Sequence, residues 1–308
     1  MRGPVNASEV ERAESLTHEH LLCVIATEAQ EQAPDHPLSI LDLGCGEGRM
    51  LGYLARNLPR LLPGAELTLY GLDAHDAGVQ RSGFMERATA HLSSAVPQTD
   101  WQNRIFGVAS TQRWPFPDAC FDFIVSNQVL EHVRDPRLVF GEIGRTLKEG
   151  GRAVHLFPLK HYWYEGHLWL LWVHRIQNAD LRKAYLGLSS RLGLGKYKGH
   201  QRAFGMSLEH YSEMHADYIQ FMTNYLTESE VLAHAKHAGL RASFRYTQEL
   251  YYRKLRDLLG RRVPFRYSRR RNALADWFWL KALRYVSGVT LFLEKKQTYV
   301  NPAEGAGH

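Results

Sequence analysis

The strongest constraint on this chain is an apolar run, Leu38 to Leu43, that passes directly into Gly44-x-Gly46-x-Gly48 and then into Met50, Leu51, Leu54 and Leu58 at helical spacing. A buried strand, a glycine turn and an amphipathic helix open a β-α-β unit, and the glycines let a ligand lie against the backbone where the helix begins. Parallel strands need crossover helices and cover on both faces, so such a unit requires partners. Further β-prone runs supply them at Leu67 to Leu72, Arg104 to Val108, Phe121 to Ser126 and Arg152 to Phe157. Before the last of these, Asp135 caps a helix with Pro136 in its first turn, Val139, Ile143 and Leu147 face inward, and Gly150-Gly151 stops it. The fold class is therefore α/β with a doubly wound sheet.

After Phe157 the rhythm breaks. Residues 159–226 read as a helical insertion, a possible substrate lid, in which Tyr211, Met214, Tyr218, Phe221, Met222 and Tyr225 share a face. Thr227 to Glu230 forms a capping box, and residues 227–247 return the chain to the core through a short helix and a strand from Leu240 to Thr247. A second insertion covers 248–288, a last core strand 289–296 and a flexible tail 297–308. The core proper is 38–158, preceded by a helical segment at 1–37.

The ligand at the glycine loop is read from its charges. A dinucleotide fingerprint needs a small residue where Arg49 stands, and Asp42 and Glu47 would repel a pyrophosphate but attract an ammonium or sulfonium. S-adenosylmethionine carries both cations. One unit downstream, Asp73 is placed to accept both ribose hydroxyls, the plainer alternative being a cap on the next helix.

These residues resemble the class I S-adenosylmethionine-dependent methyltransferase superfamily, in particular its ubiquinone/menaquinone-methyltransferase-like group. Leu41 to Gly48 is similar to the first motif of that group and Tyr70 to Asp73 to the second. Trp114 to Asp118, Phe121-Asp122, Ser126 to Val133 and Leu147 to Gly151 follow in the order of its later blocks. The resemblance implies a Rossmann-like sheet of seven strands with the last antiparallel, and S-adenosyl-L-methionine across the carboxyl ends of the first strands. It implies cofactor contacts at Asp42, Gly44, Cys45, Gly46, Gly48, Asp73, Ala74, Val108, Ala109 and Asn127. One departure stands out: Gly107 to Ser110 lacks the acid that holds the adenine amine in the family, leaving backbone atoms or Ser110 for that contact.

Methyl transfer from a sulfonium is chiefly a matter of alignment, and a hydroxyl acceptor also needs a base. His132, just after the fourth strand, and His161 and His167, in the first insertion among aromatics, are the catalytic candidates; each also has a structural reading as a hydrogen-bonded or surface histidine. No metal is expected, because some relatives bind one through Glu-x-x-Glu-His and this chain has Gln128 at the first position.

Charge is concentrated. From Tyr251 to Tyr285 the chain carries eleven basic residues against two acidic, a local +9 that exceeds the whole-chain +6. A helical wheel gives this stretch an apolar face of Leu274, Phe278, Ala282 and Tyr285, with Trp277 and Leu280 intruding on the polar side. A solvated basic face, a contact with an anionic membrane surface and a nucleic-acid site all fit. Nucleic acid ranks last, since Ser126 to Val129 lacks the Pro-Pro-aromatic arrangement of nucleobase amino-methyltransferases.

Three widely spaced cysteines suggest no disulfide framework. The expected location is cytoplasmic, with peripheral contact to the inner face of a membrane as an extension. The expected function is O-methylation of a small-molecule, glycan or lipid-linked acceptor, against an RNA methyltransferase or a non-catalytic binding module on the same fold.

Overall fold

The computed structural model describes residues 10–32, 36–76, 83–261, 263–268 and 270–296. The expected tail at 297–308, the start of the N-terminal segment at 1–9, and Arg262 and Arg269 lie outside the described residues.

The apolar runs become strands β1 (Leu38–Leu43), β2 (Leu67–Ala74), β3 (Ile105–Val108), β4 (Phe121–Asn127) and β5 (Leu147–Pro158), all parallel. A two-residue ladder, β6 (Tyr164–Glu165) with β7 (Leu170–Leu171), stands apart in the first insertion. Strands β8 (Leu240–Ser243) and β9 (Gly288–Lys295) complete one seven-stranded sheet in the order β3-β2-β1-β4-β5-β9-β8, with β9 antiparallel to both neighbours. This is the α/β class and topology that the sequence leads one to expect.

Helices α1 (Leu16–Gln32), α2 (Arg49–Leu61) and α3 (Phe84–Ala95) precede β3, and α4 (Pro136–Thr146) links β4 to β5 with Asp135 accepting from Leu138 N–H at its start. The insertion holds α5 (Ala179–Arg191), α6 (Tyr197–Phe204) and α7 (Leu208–Phe221); α8 (Glu228–His237) follows its capping box, and α9 (Thr247–Leu258) and α10 (Ala273–Leu283) fill the second insertion. One core packs α1, α2 and α9 against the sheet through Leu22, Ile25, Leu54 and Leu250; another packs α4 and α8 through Ile143 and Val231. Leu168, Leu186 and Ile219 give the first insertion a small core of its own.

Three readings need correction. The first insertion is not wholly helical, because Tyr164–Glu165 and Leu170–Leu171 pair across a tight turn. Strand β8 ends at Ser243, since Tyr246 takes a left-handed φ of 71° and α9 starts at Thr247. On α10 the wheel is inverted: Leu280, assigned to the polar side, is the buried residue, whereas Leu274 and Phe278 are 79% and 58% exposed. Lys281 and Arg284 fix that orientation by ion-pairing with Glu228 on α8.

Much of the local basic charge is thereby structural. Arg253 pairs with Glu19 and Arg271 with Glu249 and Asp276, in addition to the two pairs at Glu228.

Candidate active site

The glycine loop sits at the carboxyl end of β1, and each of its glycines has a left-handed φ: 72° at Gly44, 52° at Gly46 and 77° at Gly48. A Cβ on Gly44 would stand 2.3 Å from a Val129 methyl, so the first position admits only glycine. Gly48 lies just before α2, and no side chain caps that helix start. Cys45 turns its thiol toward the sheet at Gly71 and offers the ligand side only its backbone.

Two acceptors beside this loop lack donors. Asp42 is 2% exposed with Oδ2 unpaired, and Asn127 Oδ1 is likewise buried and unpaired. Both line a cavity of about 530 Å³ with Gly44, Cys45, Gly46 and Glu47. Burial, and then the nearby Asp73 carboxylate, pushes the Asp42 carboxyl well above the usual range. A buried carboxylate is costly without a partner, so this end of the cavity suits an ammonium group.

Asp73 closes β2. Its Oδ2 accepts from Gly46 N–H at 2.8 Å and its Oδ1 from Ala74 N–H at 2.8 Å, locking the loop to the second strand. A narrow apolar slot of about 100 Å³ adjoins it, lined by Leu72, Asp73, Ala74, Val108, Ala109 and Ser110, and Gly44 borders both spaces. After β3, where the resemblance leads one to look for an acid, Ser110 N–H and Oγ both donate to Asp76 from the loop after β2, at 2.7 and 3.2 Å. Sequence reasoning overlooked Asp76 because it belongs to the loop after β2.

His132 lies at the far end of the slot. Its Nδ1 is 2.7 Å from the Met222 carbonyl, so it donates there and leaves Nε2 as an acceptor. Burial, the largest influence, lowers its pKa and keeps the ring neutral near pH 7. The His167 ring is 5.3 Å from it, brought by the β6–β7 hairpin. Behind His167 stands Glu165, fully buried, which accepts from His167 Nδ1 at 2.6 Å, Leu168 N–H at 2.6 Å and the hydroxyls of Tyr225 and Tyr162 at 3.0 and 3.2 Å. Burial would raise the Glu165 carboxyl, but these bonds outweigh it and hold the pKa below the usual value. Beyond His167 a cavity of about 570 Å³ runs between Lys196, His200, Met214, Tyr218 and Phe221. The aromatic face predicted on α7 is thus divided: Tyr211 is buried, while Met214 and Phe221 border this opening.

His161 is not brought to this group. Its ring packs 6.3 Å from Tyr285, and the charges around it are those of Arg284, Arg175, Glu228 and Lys281. The hairpin turns His167 inward and leaves His161 on the side of α10, so its catalytic assignment is withdrawn.

Glu131 is the acid that precedes His132 in the pattern from which Gln128 departs. It is fully buried with neither carboxyl oxygen paired, and burial, then Glu165, pushes its pKa to about 8. Ligand atoms of Glu131, His132 and His167 lie within 4.8 Å of one another, a spacing suited to a cation. The expectation of no metal weighed Gln128 without the donor that the insertion brings. Because the folded protein holds the Glu131 proton more tightly than the unfolded chain, stability falls as pH rises from the ordinary glutamate range toward about 8 and then levels. Thermal unfolding of Glu131→Gln is therefore expected to show a higher Tm than wild type near pH ~8, with the gap closing by pH ~4. An identical pH slope in both proteins would contradict this.

A family model described as a methyltransferase domain matches residues 17–197. A malonyl-[acyl-carrier protein] O-methyltransferase of Hahella chejuensis is 30% identical over 135 residues, 42% of this chain and 42% of that protein. A ubiquinone biosynthesis O-methyltransferase of Maricaulis maris is 31% identical over 123 residues, 40% of this chain and 41% of that protein. Each match spans about two fifths of the relative's own length. Among solved structures, a geranyl diphosphate methyltransferase in complex with SAM aligns at 14% identity with a TM-score of 0.46, covering 96% of each chain.

Proposed function

The chain belongs to the methyltransferase-domain family, and from that premise we propose that it transfers a methyl group from S-adenosylmethionine to a hydroxyl oxygen. The observation that carries the cofactor is the pair of orphaned buried acceptors, Asp42 Oδ2 and Asn127 Oδ1, facing a cavity lined by the backbone of a left-handed glycine loop. Asp42 and Asn127 would hold the amino group, the Gly44 to Gly48 backbone the methionine chain and Asp73 the ribose. The slot at Ala74, Val108 and Ala109 would take adenine, with Asp76 and Ser110 at its rim. S-adenosylmethionine supplies a methyl on a sulfonium; as the acceptor oxygen bonds to that carbon, the C–S pair returns to sulfur and the hydroxyl proton is left for the protein to take.

His132 Nε2 takes that proton, since its Nδ1 is committed to Met222 and the ring is neutral. Glu165 orients His167 beside it and compensates charge as the proton arrives. The cavity past His167, with Met214, Tyr218 and Phe221, suits an acceptor with a sizeable apolar part: a phenol, a glycan or a lipid-linked molecule. An anionic membrane surface is where the last of these resides. Both relatives described above are named as O-methyltransferases, which supports oxygen as the acceptor atom.

The test is transfer of labelled methyl across phenolic, sugar and lipid-linked alcohols, alongside amines of matching shape. Labelling of alcohols that is lost in their methyl ethers supports the reading. Labelling confined to the amines would overturn the oxygen assignment.

A further inference from the structure

The hairpin that carries Glu165 and His167 has a second face. Side chains alternate along paired strands, and here Glu165 and Leu170 are buried while their strand neighbours Tyr164 and Leu171 are 44% and 45% exposed, with Trp163, Trp169 and Trp172 beside them at 51%, 55% and 50%. Three half-exposed indoles within ten residues form an apolar surface that a water-facing hairpin has no reason to keep. The surface continues onto the second insertion, because Trp163 N–H donates to the Tyr285 carbonyl at 2.8 Å and the two rings are 5.7 Å apart. Tyr285 follows α10, whose Leu274, Trp277 and Phe278 are 79%, 58% and 58% exposed. Just before α10, Arg266 and Arg270 are exposed as well.

We propose that this face seats the protein on an anionic lipid bilayer, with indoles at headgroup level and arginines against lipid phosphates. The charge argues for that occupant. The inward-turned cations of this insertion are matched by Glu19, Glu228, Glu249 and Asp276, whereas Arg266 and Arg270, in the segment leading into α10, are exposed. An anionic interface satisfies both components, rings through their amphipathic character and guanidiniums through surface potential. A second copy of the chain would bring two sets of exposed arginines to one interface. No described helix is long and apolar enough to cross a membrane, so the contact lies in the interface plane. The inference rests on the proposed acceptor end at His132 and His167 and adds its source: the inner face of one hairpin meets the acceptor while its outer face meets the lipid layer holding it.

The test is flotation of the full chain with phosphatidylcholine vesicles, with and without phosphatidylglycerol, at low and high salt. The wild type is expected to float with the anionic vesicles and to be released by salt. The pair Trp277→Ser with Phe278→Ser is expected to lower partitioning roughly tenfold or more, and Arg266→Glu with Arg270→Glu to abolish the preference for anionic lipid. S-adenosylmethionine affinity, measured by calorimetry on the same preparations, should be unchanged in both variants. Wild type that stays at the bottom of every gradient overturns the proposal. So do variants that float as wild type does, and so does a wild-type dimer that the Trp277/Phe278 pair dissociates while no vesicle is bound. Failure of the wild type to bind S-adenosylmethionine would remove the methyl-transfer reading and leave the vesicle result standing.

Discussion

Replacing Asp73 by alanine is expected to weaken S-adenosylmethionine binding by roughly a hundredfold, since two hydrogen bonds to a charged acceptor are worth about 1.5 kcal/mol each at the low end. The carboxylate has a double task. It is placed to receive the ribose hydroxyls, and its Oδ2 already holds Gly46 N–H, so its removal also loosens the loop that cradles the methionine chain. Equilibrium dialysis with labelled cofactor measures the loss, and thermal unfolding should show a much smaller change, because Asp73 lies at the end of β2 outside both cores. Unchanged affinity would make Asp73 a local cap and nothing more.

His132→Ala is expected to lower kcat by roughly 10²- to 10⁴-fold for a hydroxyl acceptor, the usual contribution of a positioned base, with little change in cofactor affinity. The pH profile separates catalysis from packing. In the wild type His132 must be unprotonated, so kcat/KM should rise with pH on the acid side, with an apparent pKa below the ordinary histidine value because burial disfavours the imidazolium. The variant should lose that limb. Glu165→Gln, which keeps the hydrogen bond from His167 but removes the charge, should give an intermediate loss. A full wild-type acid limb in His132→Ala would move the base to His167 or elsewhere.

The sheet and the glycine loop were legible because their signals are local. The six-residue strand before Gly44, four of its residues apolar, period-two and period-3.6 runs, and the Thr227 to Glu230 capping box each specify an element within a few residues. The insertions were harder for a physical reason. A ladder as short as Tyr164–Glu165 with Leu170–Leu171 has no periodicity to read, yet it decides that His167 turns inward with Glu165 while His161 does not. The face of α10 is set by Glu228, 53 residues before Lys281, and no wheel drawn on α10 alone can see that partner. The Asp76 contact with Ser110 was missed because the family pattern directs attention to the loop after β3, whereas this carboxylate arrives from the loop after β2. Local rules therefore placed the glycine loop and Asp73 at the ends of β1 and β2, while long-range pairings determine the surroundings of His132 and His167.

The proposed methyl transfer depends on a cationic, adenosine-bearing cofactor lying across the ends of β1 and β2. Calorimetric titration of the full chain with S-adenosylmethionine tests this most directly. Saturable one-to-one binding is expected, weakened roughly a hundredfold by Asp73→Ala and abolished by Gly44→Ala, whose added methyl meets Val129. Absence of binding by the wild type, or equal binding by all three proteins, would contradict it.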